Sequence, residues 1–302
     1  MNSLNVESVR LLTQCWPHLT YVDLSHNSLG CEGAAALAGR LCQLQHLALA
    51  DNGIELDGMR ALAGKCFRHW HRLQHLNLSG NHVGSYGALA LFQAAMLVPQ
   101  LQFLSLSDCK LEHVSMCYLS VAAGYWHHLR HLDLCLNHVG SVGATALASA
   151  FRSWPRLQLL ALKSTQLGDQ GVAAPSASAE HLKQLTYLDM SHNDLSLVGV
   201  GDFASVLRCG EHLQHLDLSH NGIGDDGVDV VVSAQGWRQL HVLDLPDNNI
   251  DKVGALAVAN AARGWRQLQF LDLRHNKAHS LPRQLMFRLL ALRLCCHCDP
   301  SK

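Results

Sequence analysis

The chain has 302 residues, of which 48% are hydrophobic and 16% charged, with a formal net charge of −1. That length can bury a large core, and near-neutrality gives no footing for a nucleic-acid or anionic-membrane partner. There is no run of about 18 apolar residues, which excludes a membrane-spanning helix of the usual kind.

The first stretch, MNSLNVESVRLLTQCWPH, carries no basic segment followed by an apolar one. No secretory signal is expected, so the chain is read as cytoplasmic. Its eleven cysteines follow no disulfide framework and are read as reduced, mostly serving as small core residues. Residues 1–18 are expected to form the helical half of a worn first repeat.

From Leu19 onward the chain repeats itself. Ten copies of a segment like LQHLDLSHN begin at Leu19, Leu44, Leu73, Leu101, Leu129, Leu157, Leu185, Leu213, Leu240 and Leu268. A repeat of this length is the mark of a solenoid. Positions 1, 4, 6 and 11 of each copy are almost always aliphatic, as Leu213, Leu216, Leu218 and Ile223 are. The alternation predicts a short strand with positions 4 and 6 facing the core.

Position 9 is Asn27, Asn52, Asn81, Asn137, Asn193, Asn221, Asn248 and Asn276, with Cys109 and Thr165 in the other two copies. Where the chain turns, an Asn amide can satisfy backbone groups from one repeat to the next. Stretches such as LGCEGAAALAGRL then place apolar residues at helical spacing. A glycine recurs near the helix start in eight copies, among them Gly58, Gly143 and Gly199, and is expected to permit close packing on the neighbouring repeat. SLPRQLMFRLLALRL, from Ser280, reads as a closing helix. The expected organisation is a partial repeat over 1–18, an array over 19–279, and a closing helix with a cysteine-rich tail over 280–302.

These ten copies resemble the leucine-rich repeat family, in its ribonuclease-inhibitor-like class of roughly 28 residues per repeat. That class also occurs in NOD-like receptors and in the GTPase-activating protein for Ran. The resemblance implies an α/β fold, a right-handed solenoid with its parallel sheet on the concave face of a horseshoe. It implies a non-enzymatic scaffold that binds a protein partner. Two alternatives stand beside it: a GTPase-activating-protein-like regulator of a small GTPase, and a detached sensor domain of NOD-like-receptor type.

His215, Asp217 and Ser219 have the letters of a catalytic triad, and as positions 3, 5 and 7 they share one face of a strand. Their order is wrong, because the imidazole must lie between serine and carboxylate. His215 and Ser219 would also be roughly 13 Å apart. No catalytic residue is expected here.

As columns the same residues suggest binding. Position 3 holds Tyr21, His46, His75, Phe103, His131, Leu159, Tyr187, His215, Val242 and Phe270; position 5 holds Asp23, Asp133, Asp189, Asp217, Asp244 and Asp272. Broad rings make contact at low entropic cost, and carboxylates steer a basic surface. The expected contact residues are His131, Asp133, Tyr187, Asp189, His215, Asp217, Asp244, Phe270, Asp272 and Arg274. Lys163, Arg274 and Arg130 are the cations on or beside this face. The partner is read as a protein, with a basic surface; the oligomeric state stays open.

All six tryptophans, Trp16, Trp70, Trp126, Trp154, Trp237 and Trp265, stand three residues before a repeat's first leucine and are read as core. Position 8 holds His192, His220, Asp247 and His275 in successive repeats. They would bind metal only if their rotamers converged on one point, and are otherwise solvated turn residues. The tail Cys295–Cys298 lacks a second half for a zinc site. No cofactor is expected. In repeat six Pro175 stands where the helix should run, and a kink is expected there.

Overall fold

The computed structural model describes residues 4–37, 41–234 and 237–277, divided between two compact units, Met1–Leu157 and Gln158–Lys302. The expected closing helix and the Cys295–Cys298 tail lie outside the described residues.

In the first unit a helix, α1 (Val6–Cys15), is followed by five strands alternating with five helices: β1 (Tyr21–Asp23), α2 (Gly30–Ala36), β2 (His46–Ala48), α3 (Leu56–Ala61), β3 (His75–Asn77), α4 (Gly84–Gln93), β4 (Phe103–Ser105), α5 (His113–Ala122), β5 (His131–Asp133) and α6 (Gly140–Ala150). The second unit runs β6 (Leu159–Ala161), α7 (Gly168–Ala177), β7 (Tyr187–Asp189), α8 (Leu197–Cys209), β8 (His215–Asp217), α9 (Gly224–Val232), β9 (Val242–Asp244), α10 (Lys252–Ala261) and β10 (Phe270–Asp272). Each unit is an α/β solenoid. Within each, successive strands pair in parallel.

The pairing has no stagger. Tyr21 pairs with His46, His46 with His75, His75 with Phe103 and Phe103 with His131; Tyr187 pairs with His215 and His215 with Val242. Equivalent positions therefore stand side by side, and the columns read from the sequence are physical rows. The middle residue of each strand points inward, as Leu47, Leu76, Leu104, Leu216 and Leu243 do at 0% exposure. Burying one such leucine stabilises by about 1.5–3 kcal/mol.

The chain leaves each strand through a left-handed turn. His26, Asp51, Gly80, Asp108, Leu136, Ser164, His192, His220, Asp247 and His275, all at position 8, have φ between 48° and 67°. Glycine adopts this region freely, and Asn, Asp and His tolerate it better than most residues.

Behind the turn the asparagines form a ladder. In repeat three Asn81 donates to Leu49 O at 2.8 Å and to Leu78 O at 2.8 Å, while its Oδ1 accepts from Asn52 N and Ile54 N at 3.1 and 2.9 Å. Asn193 repeats the scheme with Leu162 O, Met190 O and Thr165 N. The two substitutes each keep half of it. The Cys109 thiol bonds to Leu78 O of the preceding repeat at 3.1 Å, and the Thr165 hydroxyl bonds to Leu162 O of its own repeat at 2.6 Å.

The recurring glycine acts as expected at two positions in particular. A Cβ on Gly58 would stand 3.1 Å from the Cys31 Cα, and one on Gly143 would stand 3.1 Å from the His113 Cα, each in the preceding repeat. Trp70, Trp126, Trp154 and Trp237 are buried at no more than 2% exposure, and the Trp237 indole donates to Leu207 O at 3.0 Å. Trp16 departs from the core reading, with 59% of its surface exposed. In repeat six the proline lies inside the helix. Helix α7 continues through Pro175 to Ala177, and Ser176 Oγ bonds back to Val172 O at 2.7 Å.

Candidate protein-binding face

Positions 3, 5 and 7 of the strands make one face in each unit. In the first unit the position-3 rings stack on one another. Tyr21 and His46 have centroids 4.1 Å apart, His46 and His75 3.8 Å, and His75 and Phe103 3.8 Å; His131 meets Phe103 edge-on at 5.8 Å. The unstaggered register makes this possible, since parallel strands are about 4.8 Å apart and rings on equivalent positions lean together. Burial holds His46 and His131 below the usual imidazole range. Burial, helped by His46 and His131, brings His75 down to about 4. The row is therefore neutral at physiological pH, bordered by Asp23 and Asp133 with Ala48, Asn77 and Ser105 between them.

In the second unit the same face is acidic. Asp189, Asp217, Asp244 and Asp272 stand on four successive strands in direct register. Tyr187 stacks on His215 at 4.4 Å, and Phe270 lies at the end of the row with 36% exposure. Arg274 forms a fork with Asp272, its Nε 2.8 Å from Oδ2. That cation is already committed to its own strand.

The aspartates have a local task that the column pattern did not disclose. All but Asp244 accept the backbone N–H of the residue two places on, where the strand ends and the ladder of pairing stops. Ser25 donates to Asp23 at 2.9 Å, Cys135 to Asp133 at 3.1 Å, Ser191 to Asp189 at 2.9 Å, Ser219 to Asp217 at 2.8 Å and Arg274 to Asp272 at 2.9 Å. Asn77 does the same for Ser79 at 3.0 Å. Asp and Asn are suited to this because a short side-chain oxygen mimics the next backbone acceptor. Asp189 and Asp272 are only 7% and 5% exposed, which leaves little of either open to direct contact.

His215 finds its carboxylate on the next strand. Its Nε2 lies 3.4 Å from Asp244 Oδ2, while Ser219 at the strand's end gives its N–H to Asp217. The triad letters thus fall into two separate pairs, Ser219 with Asp217 and His215 with Asp244. Burial raises Asp189 above the usual carboxylate range, opposed by Ser191. Burial, then Asp217 and Asp272, pushes Asp244 up to about 7.

The position-8 residues do not gather a metal. His192 and His220 stack face to face at 3.9 Å, and His220 Nδ1 lies 3.4 Å from Asp247 Oδ2. Among the described residues no group of three or more His, Cys, Asp or Glu is placed to hold a metal ion. A shallow hollow of about 470 Å³ lies beside this turn, lined by Asp194, Ser196, His220, Gly222 and Asp247 among others. Among the described residues no helix is long and apolar enough to cross a membrane.

A family profile described as Leucine Rich repeat matches residues 17–38, 41–63, 71–92, 127–148, 181–204, 211–232 and 238–259. The chain belongs to the leucine-rich repeat family. The copies beginning at Leu101 and Leu157 fall between the matched leucine-rich repeats, and they are the two in which Cys109 and Thr165 replace the ladder asparagine. No curated protein matches the chain in sequence. Leucine-rich repeats are generally scaffolds for protein interaction, which agrees with a strand face built from rings and carboxylates.

Proposed function

We propose that this chain is a non-enzymatic, cytoplasmic leucine-rich repeat protein of ribonuclease-inhibitor-like type, whose array over residues 19–279 binds a protein partner through the strand faces. The second unit would take a basic segment of that partner. The observation carrying this reading is the four-strand carboxylate row, Asp189, Asp217, Asp244 and Asp272, whose adjacent Arg274 is tied to Asp272. Carboxylates spaced one strand apart create a shared field that attracts lysine and arginine side chains and speeds encounter. His131, Asp133, Tyr187, His215 and Phe270 are the further contact residues of this reading.

The test is a paired capture that separates charge from structure. One bait is the wild-type chain; the other carries Asp133, Asp189, Asp217 and Asp244 changed to Asn. At Asp133, Asp189 and Asp217 asparagine keeps the oxygen that accepts the turn N–H and removes only the charge; Asp244, followed by Pro246, has no turn N–H to lose. A basic protein held by the first bait and lost by the second supports the reading. Identical captures from both baits sink it.

A further inference from the structure

Asp244 is set apart from the rest of its row by the residue two places on. Asp189, Asp217 and Asp272 accept the N–H of Ser191, Ser219 and Arg274, but the corresponding residue in repeat nine is Pro246. Proline has no N–H to give. The Asp244 carboxylate thus lacks the strand-end donor that its neighbours use, and its ionic contact is the His215 Nε2 at 3.4 Å.

The groups around this pair all bear on its charge. Strand β8 presents His215 and Asp217, strand β10 presents Asp272 with Arg274 just past its end, and Asp189 on β7 acts from one strand farther away. Asp217 and Asp272 flank Asp244 in direct register, and Arg274 is forked onto Asp272. The side chains of His215 and Asp244 are only 27% and 18% exposed. A carboxylate between two others, poorly solvated and without the strand-end amide its neighbours accept, favours keeping a proton. A half-buried imidazole alone disfavours carrying one. Facing each other, the two groups satisfy both demands by holding one proton in common.

We propose that His215 and Asp244 hold a single proton between them, and that its release gives the strand face of the second unit its full negative charge. With the proton, the pair is neutral overall; when the proton passes to solvent the pair carries one negative charge, and no bond between heavy atoms changes. Burial followed by Asp217 and Asp272 places Asp244 at about 7, and burial lowers His215, so release falls near neutral pH. Where a basic segment docks on this face, which rests on the reading given above, docking expels the proton and strengthens as pH rises.

The deciding experiment needs no partner. The intact chain is titrated by NMR, following the Asp244 carboxyl carbon, assigned by its loss in Asp244→Asn, together with the His215 ring nitrogens. The expected result is a joint transition near pH 7. In Pro246→Ser, which restores an N–H two residues on, the Asp244 midpoint falls by about one unit or more. An Asp244 midpoint below pH 5, or His215 nitrogens that stay unchanged while Asp244 titrates, overturns the proposal. So does a Pro246→Ser chain whose midpoint does not move. A ten-residue lysine peptide then probes the consequence at pH 6 and pH 8. Affinity several-fold higher at pH 8 in the wild type, and equal at both in Asp244→Asn, supports the coupling; an unchanged pH dependence in Asp244→Asn overturns it. If the peptide fails to bind at either pH, the basic-segment reading falls, and the carboxyl titration still decides the proton pair.

Discussion

Pro246 stands two residues after Asp244, in the place from which Ser191, Ser219 and Arg274 send a backbone N–H to the carboxylates before them. One missing proton donor thus changes the chemistry of one strand end among several alike. The effect on stability has a definite sign. Asp244 is raised from the usual carboxylate range to about 7, so the folded chain holds this proton more tightly than the unfolded chain does. The stability this contributes is present at low pH and is lost as pH rises through about 7. Asp244→Asn cannot titrate, so it should match wild type near pH 4 and exceed it at pH 8 by about 2 kcal/mol, after allowance for partial solvation. Urea unfolding at the two pH values checks this. A variant equally stable relative to wild type at both would contradict it.

Asp217 separates capping from charge. Its Oδ1 accepts from Ser219 N at 2.8 Å, and Ser219 is buried. Asp217→Ala leaves that N–H without its acceptor and should cost about 1–2 kcal/mol. Asp217→Asn keeps an oxygen in place and should cost less than about 0.5 kcal/mol, while weakening capture of a basic partner. Equal losses in the two variants would show that the carboxylate's charge, and not its acceptor, supports the turn.

The ladder could be read in the sequence because it is periodic: an asparagine that returns at the ninth place, as Asn52, Asn81 and Asn137 do, must answer a backbone need that returns with it. The strands and helices were legible for the same reason, since residues like Leu213, Leu216, Leu218 and Ile223 recur in kind throughout the chain. The aspartate caps were not legible, because a column of Asp announces charge and hides the N–H that all but Asp244 accept. Along the chain His215 has Asp217 as its nearest carboxylate. Its ionic contact, Asp244, belongs to the next strand, and that diagonal follows from side-chain lean that spacing does not encode. Pro246 was the available signal, since a residue without an N–H cannot serve the preceding carboxylate. At Pro175 the helix α7 runs on to Ala177, because loss of one backbone bond does not end it.

Cys109 offers a gain of stability. Its thiol keeps the bond to Leu78 O but presents no amide oxygen to the preceding repeat, whereas Asn81 accepts from Asn52 and Ile54. Cys109→Asn restores the consensus side chain and should stabilise the chain by about 1 kcal/mol, the net worth of a typical buried hydrogen bond. A higher midpoint in thermal and urea unfolding is the expected outcome. A lower one would mean that the site has closed around the smaller sulfur and no longer admits an amide.

The ring row of the first unit predicts sensitivity to acid. His75 is brought down to about 4 by burial and by His46 and His131, so the unfolded chain takes up its proton first as pH falls. The stability contributed by the neutral ring is present above about pH 6.5 and is lost on the way down to about 4. His75→Phe should remove about 1 kcal/mol of that loss, after allowance for partial solvation. The comparison is the slope of stability against pH in that interval, and identical slopes would place the acid sensitivity elsewhere.

The left-handed turn that closes every strand has a consequence for how this protein can vary. Because the backbone at position 8 lies at φ between 48° and 67° in repeat after repeat, the residues that sit there at low strain are mainly Gly, Asn, Asp and His. That short alphabet spans negative, neutral and titratable side chains. A single substitution within it rewrites the electrostatic character of the rim while the framework behind it keeps its shape. Conformational restriction here widens the range of surfaces one scaffold can display.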